Sequence, residues 1–288
     1  MLTPAAIDRV VAAALAEDAP WGDLTSAAFI PATATARAEL VPREAGVASG
    51  LAVFASAFRL TDSAITVTVL SEDGRAFEPG TVLAIVEGPA RGILTAERVA
   101  LNLTQRMSGI ATLTARYVAE VAHTPARIAD TRKTTPGLRA LERQAVRDGG
   151  GHNHRFSLSD AVMVKDNHLA VLTADGASVT DALRTAMASL PHTTHVEVEV
   201  DRLDQIEPVL AANVDTIMLD NFSPDDLRRG VEIVGGRAIV EASGGVSLET
   251  VGAIAETGVD VISVGALTHS ARALDLGLDI RVTPADAA

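Results

Sequence analysis

Lys133 and Lys165 are the only two lysines in a chain that otherwise carries its positive charge on arginine, twenty-two times over. Lysine supplies a compact, mobile ammonium, whereas guanidinium is a planar fork that is always charged. Both positions therefore ask for a point charge that arginine does not give. Lys133 lies in Asp130-Thr131-Arg132-Lys133-Thr134-Thr135-Pro136-Gly137 and Lys165 in Lys165-Asp166-Asn167-His168, with Gly149-Gly150-Gly151-His152-Asn153-His154-Arg155 between them. From 127 to 168 the chain also gathers Arg127, Arg139, Arg143 and Arg147. The formal net charge of the whole is -13, so cations concentrated in one stretch point to an anionic small molecule. Arg143 and Arg147, four apart, fit a solvated helix face equally well.

The elements that must hold these residues follow a regular rhythm. Short apolar strands are expected over 127–131, 161–165, 195–200, 215–220, 237–242 and 260–264. Helical stretches are expected over 137–147, 177–189, 203–211, 225–234 and 248–257. Alternation of this kind predicts parallel strands joined by right-handed crossovers. Six units are fewer than those of a complete barrel, which takes about 250 residues. An incomplete barrel and an open doubly wound sheet both fit. In a barrel all the carboxyl ends of the strands converge on one face. That face would collect Arg132 and Lys133, Lys165 and Asp166, Glu197 and Glu199 with Asp201 beyond, Asp220-Asn221, Ser243-Gly244-Gly245, and Gly265-Ala266. Two lysines, arginines and carboxylates in one pocket suit a phosphorylated substrate with a divalent cation. Glycines at the ends of the last two strands let backbone N–H groups approach a phosphate. Glu199 and Asp220 would end adjacent strands, as hard oxygen ligands for magnesium or acceptors for ribose hydroxyls. Glu197 shares the Glu199 face, because strand side chains alternate. The histidines make no zinc motif, and His168 and His269 fit structural roles.

The first hundred residues read differently. A helix is expected over 4–18, with Thr3 as N-cap and Pro4 in the first turn. Strands are expected over 33–41, 65–70 and 81–86, with a turn at Glu78-Pro79-Gly80. A helical period runs from 95 to 121, with Ser108-Gly109 expected to break or bend it. Hydrophobic content of 48% and charged content of 21% indicate a globular chain, and aromatic content of 3% leaves its core to Ala, Val, Leu and Ile. The absence of cysteine excludes disulfides, thiolate metal sites and a cysteine nucleophile. The acidic balance argues against binding nucleic acid or anionic membranes. The N-terminus reads as neither a secretion signal nor a membrane span, so the cytoplasm is the expected location.

The combined strings resemble the quinolinate phosphoribosyltransferases, the carboxylating nicotinate-nucleotide pyrophosphorylases. The match runs through Gly22-Asp23-Leu24-Thr25, Thr95-Ala96-Glu97-Arg98, Asn102-Leu103 and Ser108-Gly109-Ile110-Ala111-Thr112 to the stretch 130–137. It continues through 149–155, 165–168, Glu197-Val198-Glu199, Leu219-Asp220-Asn221, Ser243-Gly244-Gly245 and Val264-Gly265-Ala266-Leu267-Thr268-His269-Ser270. The resemblance implies an N-terminal α/β sandwich domain over 1–112, rejoined by 271–288, and an incomplete parallel α/β barrel over 113–270. It implies transfer of phosphoribosyl from phosphoribosyl pyrophosphate to quinolinate with loss of carbon dioxide. Magnesium is implied, held by Glu199 and Asp220 directly or through substrate or water, and no organic cofactor. It also implies a homodimer, or a higher assembly of dimers, in which Arg98 completes the partner's site. Quinolinate's adjacent carboxylates would meet Arg98, Arg132, His154, Arg155 and Lys165, and the pyrophosphate Lys133. Thr131, Ser243, Gly244, Gly245, Val264, Gly265 and Ala266 would complete the substrate contacts, and Lys133, Lys165, Glu199 and Asp220 the catalytic set.

Three other readings compete. A related phosphoribosyltransferase for another pyridine acid, or a molybdenum-associated paralogue, would share the fold and differ in the cations that read the second carboxylate. A Schiff-base aldolase would use Lys165 at a strand end. A non-catalytic barrel would sense phosphorylated metabolites.

Overall fold

The computed structural model describes residues 2–283. Helix α1 (Pro4–Asp18) is capped by Thr3, whose hydroxyl accepts the Ala6 N–H. Asp23 caps α2 (Leu24–Phe29) by accepting the Ser26 N–H at 3.0 Å. Strands β1 (Thr35–Pro42) and β2 (Gly46–Val47) lead to α3 (Leu51–Thr61), and β3 (Thr66–Val69), β4 (Ala76–Phe77) and β5 (Ala84–Pro89) lead to α4 (Ala90–Val121). The α3 helix escapes a reading by period because it buries Leu51, Val53, Phe54, Ala57 and Phe58 and so has little polar contrast around its axis. The expected break at Ser108-Gly109 is absent, and α4 runs straight through it. A Cβ at Gly109 would lie 1.9 Å from the Arg272 carbonyl oxygen, so the glycine serves close backbone approach. Ser108 meanwhile exchanges hydrogen bonds with the backbone of Ser49.

Beyond α4 the chain alternates as expected. The parallel strands are β6 (Arg127–Ala129), β7 (Val162–Val164), β8 (Val196–Val200), β9 (Thr216–Asp220), β10 (Ile239–Ser243) and β11 (Val261–Ser263). The helices between them are α5 (Arg139–Asp148), α6 (Asp166–Leu172), α7 (Val179–Met187), α8 (Ile206–Leu210, after a 3-10 turn), α9 (Pro224–Val234) and α10 (Val251–Ala255). The sheet order is β6-β11-β10-β9-β8-β7. Every step from β7 to β11 moves one strand in the same direction, and the first strand pairs with the last. A doubly wound sheet would reverse direction at a switch point. This one does not, and the result is a barrel left open between β6 and β7. At that gap His152 makes an isolated parallel bridge to Ala129 on the free side of β6.

Helix α11 (Ala266–His269) and strand β12 (Leu276–Thr283) end the described chain. The strand pairs antiparallel with β1 and completes a four-stranded sheet of order β12-β1-β5-β3. Two compact units result: one holds the chain up to Ala115, Thr134–Gly150 and the chain from Leu267, the other Arg116–Lys133 and Gly151–Ala266. Of the 271–288 segment expected to rejoin the first domain, residues 284–288 lie outside the described residues. Thr134–Gly150, read from sequence as part of the barrel span, groups with the first unit. Its helix α5 sends the buried Glu142 to Arg106 of α4, at 2.8 Å from Nη2. A Cβ at Gly149 would lie 2.4 Å from the Ala111 carbonyl, so α5 ends tightly against α4.

Candidate active site

Period-two alternation sends one face of each barrel strand inward. On β8 that face carries Glu197 and Glu199, on β9 Met218 and Asp220, and on β10 Glu241 and Ser243. Glu199 aligns with Met218, Met218 with Glu241, and Asp220 with Ser243. The side chains therefore stack in layers along the barrel, with Glu197 a layer below Glu199. At the carboxyl ends of the strands they open into a cavity of about 570 Å³, a size that suits a small-molecule site.

The cavity brings together most of the residues singled out from sequence. Thr131, Arg132, Lys133, His154, Arg155, Lys165, Glu199, Asp220, Ser243, Gly244 and Gly245 all line it. Val264, Gly265 and Ala266 are not among its lining residues. Val264 is buried, with its N–H donated to the Ala129 carbonyl at 2.9 Å. Arg98 is exposed on α4, in the first unit. Asn221, expected with Asp220 at the end of its strand, lines it too, and Met163, Met218, Glu241 and Ser263 do so without having been expected there. The signal for Glu241 was present, as a lone carboxylate inside an apolar strand. Asn221 adopts φ 59°, and its Oδ1 would lie 2.2 Å from a Cβ on Gly244. Gly244 and Gly245 both have positive φ, 88° and 62°, which favours glycine there.

Buried Asp130, at the end of β6, ties down the loop that carries the cations. Its carboxylate accepts the His154 N–H and the Asn153 side-chain amide, each at 2.7 Å. Thr131 Oγ1 accepts the Lys133 N–H at 3.1 Å. Lys165 donates its ammonium to the Glu199 carboxylate, and His168 accepts the Lys165 N–H through Nδ1, a structural role in the first turn of α6. Arg155 donates from Nη1 to the Ala161 carbonyl at 3.0 Å. Burial and then the neighbouring Arg132 guanidinium pull Arg155 below the usual arginine range. Two arginines and two lysines lining one cavity make a place prepared for an anion.

At the wall of the cavity, His154 Nε2 lies 3.1 Å from Glu197 and 3.5 Å from Glu241, both buried. Its Nδ1 accepts the Arg155 N–H at 2.8 Å. Two buried carboxylates beside one imidazole call for an extra proton. Burial resists charging His154, but the two glutamates outweigh it, so the cluster of three groups together binds an extra proton more tightly than a free histidine would. Burial, together with Glu241, raises Glu197 as well. A doubly protonated ring would have no lone pair for the Arg155 N–H, so in this geometry the extra proton sits on the carboxylates and the ring is the neutral Nε2–H tautomer. A second cavity of about 300 Å³ is lined by Asp166, Glu199, Asp201 and Asp220 among others.

Two family models, described as the N-terminal and C-terminal domains of quinolinate phosphoribosyl transferase, match residues 23–108 and 110–279. The nicotinate-nucleotide pyrophosphorylase (carboxylating) of Mycobacterium leprae is 46% identical over 275 residues, covering 93% of this chain and 94% of that protein. The probable nicotinate-nucleotide pyrophosphorylase (carboxylating) of Bacillus subtilis is 41% identical over 267 residues, covering 93% of this chain and 91% of that one. The crystal structure of NadC from Streptococcus pyogenes matches with a TM-score of 0.93 at 41% identity over 99% of each chain.

Proposed function

We infer how the cavity works from one premise: the chain belongs to the quinolinate phosphoribosyl transferase family. Its reaction joins quinolinate to phosphoribosyl pyrophosphate and gives nicotinate mononucleotide, pyrophosphate and carbon dioxide, a step of NAD biosynthesis. The observation that carries this reading is the split charge of the one cavity, with Arg132, Lys133, Arg155 and Lys165 set against Glu199 and Asp220. A monocarboxylate would leave part of that cationic cluster unanswered, whereas two adjacent carboxylates satisfy it.

In this proposal Arg132, Arg155 and Lys165 hold the carboxylates of quinolinate, and Lys133 meets the pyrophosphate. Glu199 and Asp220 accept the ribose hydroxyls, with Thr131 beside them. Ser243, Gly244 and Gly245 take the 5′-phosphate, and Val264, Gly265 and Ala266 support that end from the next strand. As pyrophosphate leaves, positive charge grows on the ribose ring, and the two carboxylates stabilise it. The pyridine nitrogen bonds to the anomeric carbon and becomes quaternary. It then draws electrons from the adjacent carbon, so carbon dioxide departs and that carbon takes up a proton. No organic cofactor is needed for these steps. Lys165, released from Glu199 by the arriving carboxylate, exchanges one anionic partner for another.

The residues present fit magnesium, because Glu199, Asp220, Asp166 and Asp201 offer the hard oxygen donors it selects. When bound, the ion would neutralise pyrophosphate charge. We also propose a homodimer in which Arg98 serves the partner's site. Arg98 lies one turn beyond Thr95, whose hydroxyl reaches Asp23 at 3.4 Å. The segment around Asp23 exposes Trp21, Leu24 and Phe29, and large exposed apolar side chains of this kind commonly mark a contact surface. A cytoplasmic location is part of the same proposal.

A pyrophosphate-release assay tests the reaction. Turnover is expected with quinolinate, phosphoribosyl pyrophosphate and magnesium together, accompanied by equimolar carbon dioxide. Release with nicotinate at an equal or greater rate would overturn the choice of acid.

A further inference from the structure

The cluster of His154, Glu197 and Glu241 invites three explanations: a direct contact to substrate, a metal site or an internal support. Its three ligand-type atoms lie within 4.8 Å of one another. Glu197 and Glu241 are 4% and 3% exposed, and Oε1 of each has no hydrogen-bond partner among the described residues. That combination by itself would suit a cation. The histidine decides otherwise. A metal on Nε2 would require the ring proton on Nδ1, yet Nδ1 is the atom that accepts the Arg155 N–H. A direct substrate contact needs a ring nitrogen turned to the cavity, and both are engaged by protein.

We propose that His154, Glu197 and Glu241 form a positioning network that acts through Arg155. Glu197 holds the Nε2–H of His154 with Glu241 beside it, and His154 Nδ1 holds the backbone N–H of Arg155. Asp130, by accepting the His154 N–H, fixes the backbone one residue earlier. Two consecutive N–H groups are thus held, one by the Asp130 carboxylate and one by the His154 ring, and the Arg155 guanidinium emerges from a fixed backbone. This assignment rests on the reading of Arg155 as a reader of a substrate carboxylate. It deepens that reading by making His154 a supporter of the arginine rather than a second cation.

A double-mutant cycle separates the alternatives. Kinetic constants for both substrates are measured for His154→Ala, Arg155→Ala, the double variant, Glu197→Gln and Glu197→Leu. His154→Ala is expected to raise the quinolinate KM by about 10- to 100-fold and to leave the KM for phosphoribosyl pyrophosphate within about threefold, since the Arg155 N–H loses the ring that holds it. The double variant should be no worse than Arg155→Ala alone. Glu197→Gln, whose amide oxygen still accepts the Nε2–H, should retain most activity, and Glu197→Leu should match His154→Ala. Additive losses in the double variant would return His154 to direct substrate contact. Glu197→Gln as damaging as Glu197→Leu would show that charge, not the hydrogen bond, is what matters, and would overturn the network as drawn.

Two further readouts do not depend on turnover. Nitrogen-15 NMR of the wild-type protein should show His154 as the neutral Nε2–H tautomer, and a proton on Nδ1 would refute the assignment. Elemental analysis after incubation with zinc should show no stoichiometric ion that His154→Ala removes, and finding one would replace the network with a metal site. If quinolinate is not the substrate, the wild-type protein itself fails to turn it over, an outcome distinct from any failure within the cycle.

Discussion

Replacing Arg155 by methionine should separate activity from stability, because the free protein sets opposing influences on that arginine. Burial and Arg132 oppose its charge, while Glu197 and Asp160 favour it. Removing it takes away one bidentate partner of a buried carboxylate, a loss of about 2–5 kcal/mol and so about 30- to several-thousand-fold in kcat/KM. Relief of Arg132, which can then approach the same carboxylate more closely, offsets part of this. A fall of about 100-fold in kcat/KM for quinolinate is therefore expected, while the KM for phosphoribosyl pyrophosphate changes little. On the stability side, Arg155→Met loses the bond to the Ala161 carbonyl, worth about 1 kcal/mol, and sheds a half-buried charge. The two nearly cancel, so the melting temperature should stay within about 4 °C of wild type. Steady-state kinetics with each substrate varied, beside a thermal melt of the same preparation, gives both numbers. A variant that loses activity only in proportion to a lower melting temperature would mean that Arg155 is structural. A loss confined to phosphoribosyl pyrophosphate would mean that the cationic cluster has been assigned to the wrong substrate.

Lys133→Arg and Lys165→Arg should each lose on the order of 10²–10³ in rate, since a planar fork replaces a point charge; near wild-type turnover in both would sink the argument from lysine use. Asp220→Asn should weaken phosphoribosyl pyrophosphate and magnesium binding by titration and spare quinolinate, and the reverse pattern would contradict its role. Mixing inactive Arg98→Ala and Lys133→Ala subunits in equal amounts should restore about a quarter of all pockets, because half the dimers are hybrid and each hybrid holds one intact pocket. No recovery despite proven exchange would leave Arg98 to its own subunit. Gly109→Ala should destabilise the protein by about 1–3 kcal/mol or more, because a Cβ 1.9 Å from the Arg272 carbonyl forces two backbones apart; an unchanged melt would show that the approach is not tight.

The sequence by itself determined the six barrel strands, because short apolar runs bounded by helical periods are local patterns. It determined α1 from Thr3 and Pro4 for the same reason. It also located the chemistry: unusual lysines, strand-end carboxylates and paired glycines are visible without any fold, and eleven of the expected residues line one cavity. Tertiary structure decided what depends on neighbours distant in the chain. Barrel or doubly wound sheet turned on β6 pairing with β11, strands that lie more than 130 residues apart and whose local patterns are alike. Ser108-Gly109 looked like a helix breaker, and only the carbonyl of Arg272 shows why a glycine is needed there. Glu197 and Glu199 look identical on an alternating strand, yet depth along the barrel makes one a buried support and the other a wall of the cavity. The role of His154 was least legible of all. From residue order a histidine beside an arginine reads as a second cation; the fold adds Glu197 and Glu241 against one ring nitrogen and the next residue's N–H against the other. Burial and hydrogen-bond direction, which set protonation and orientation, are properties of the packed structure and leave no mark on residue order.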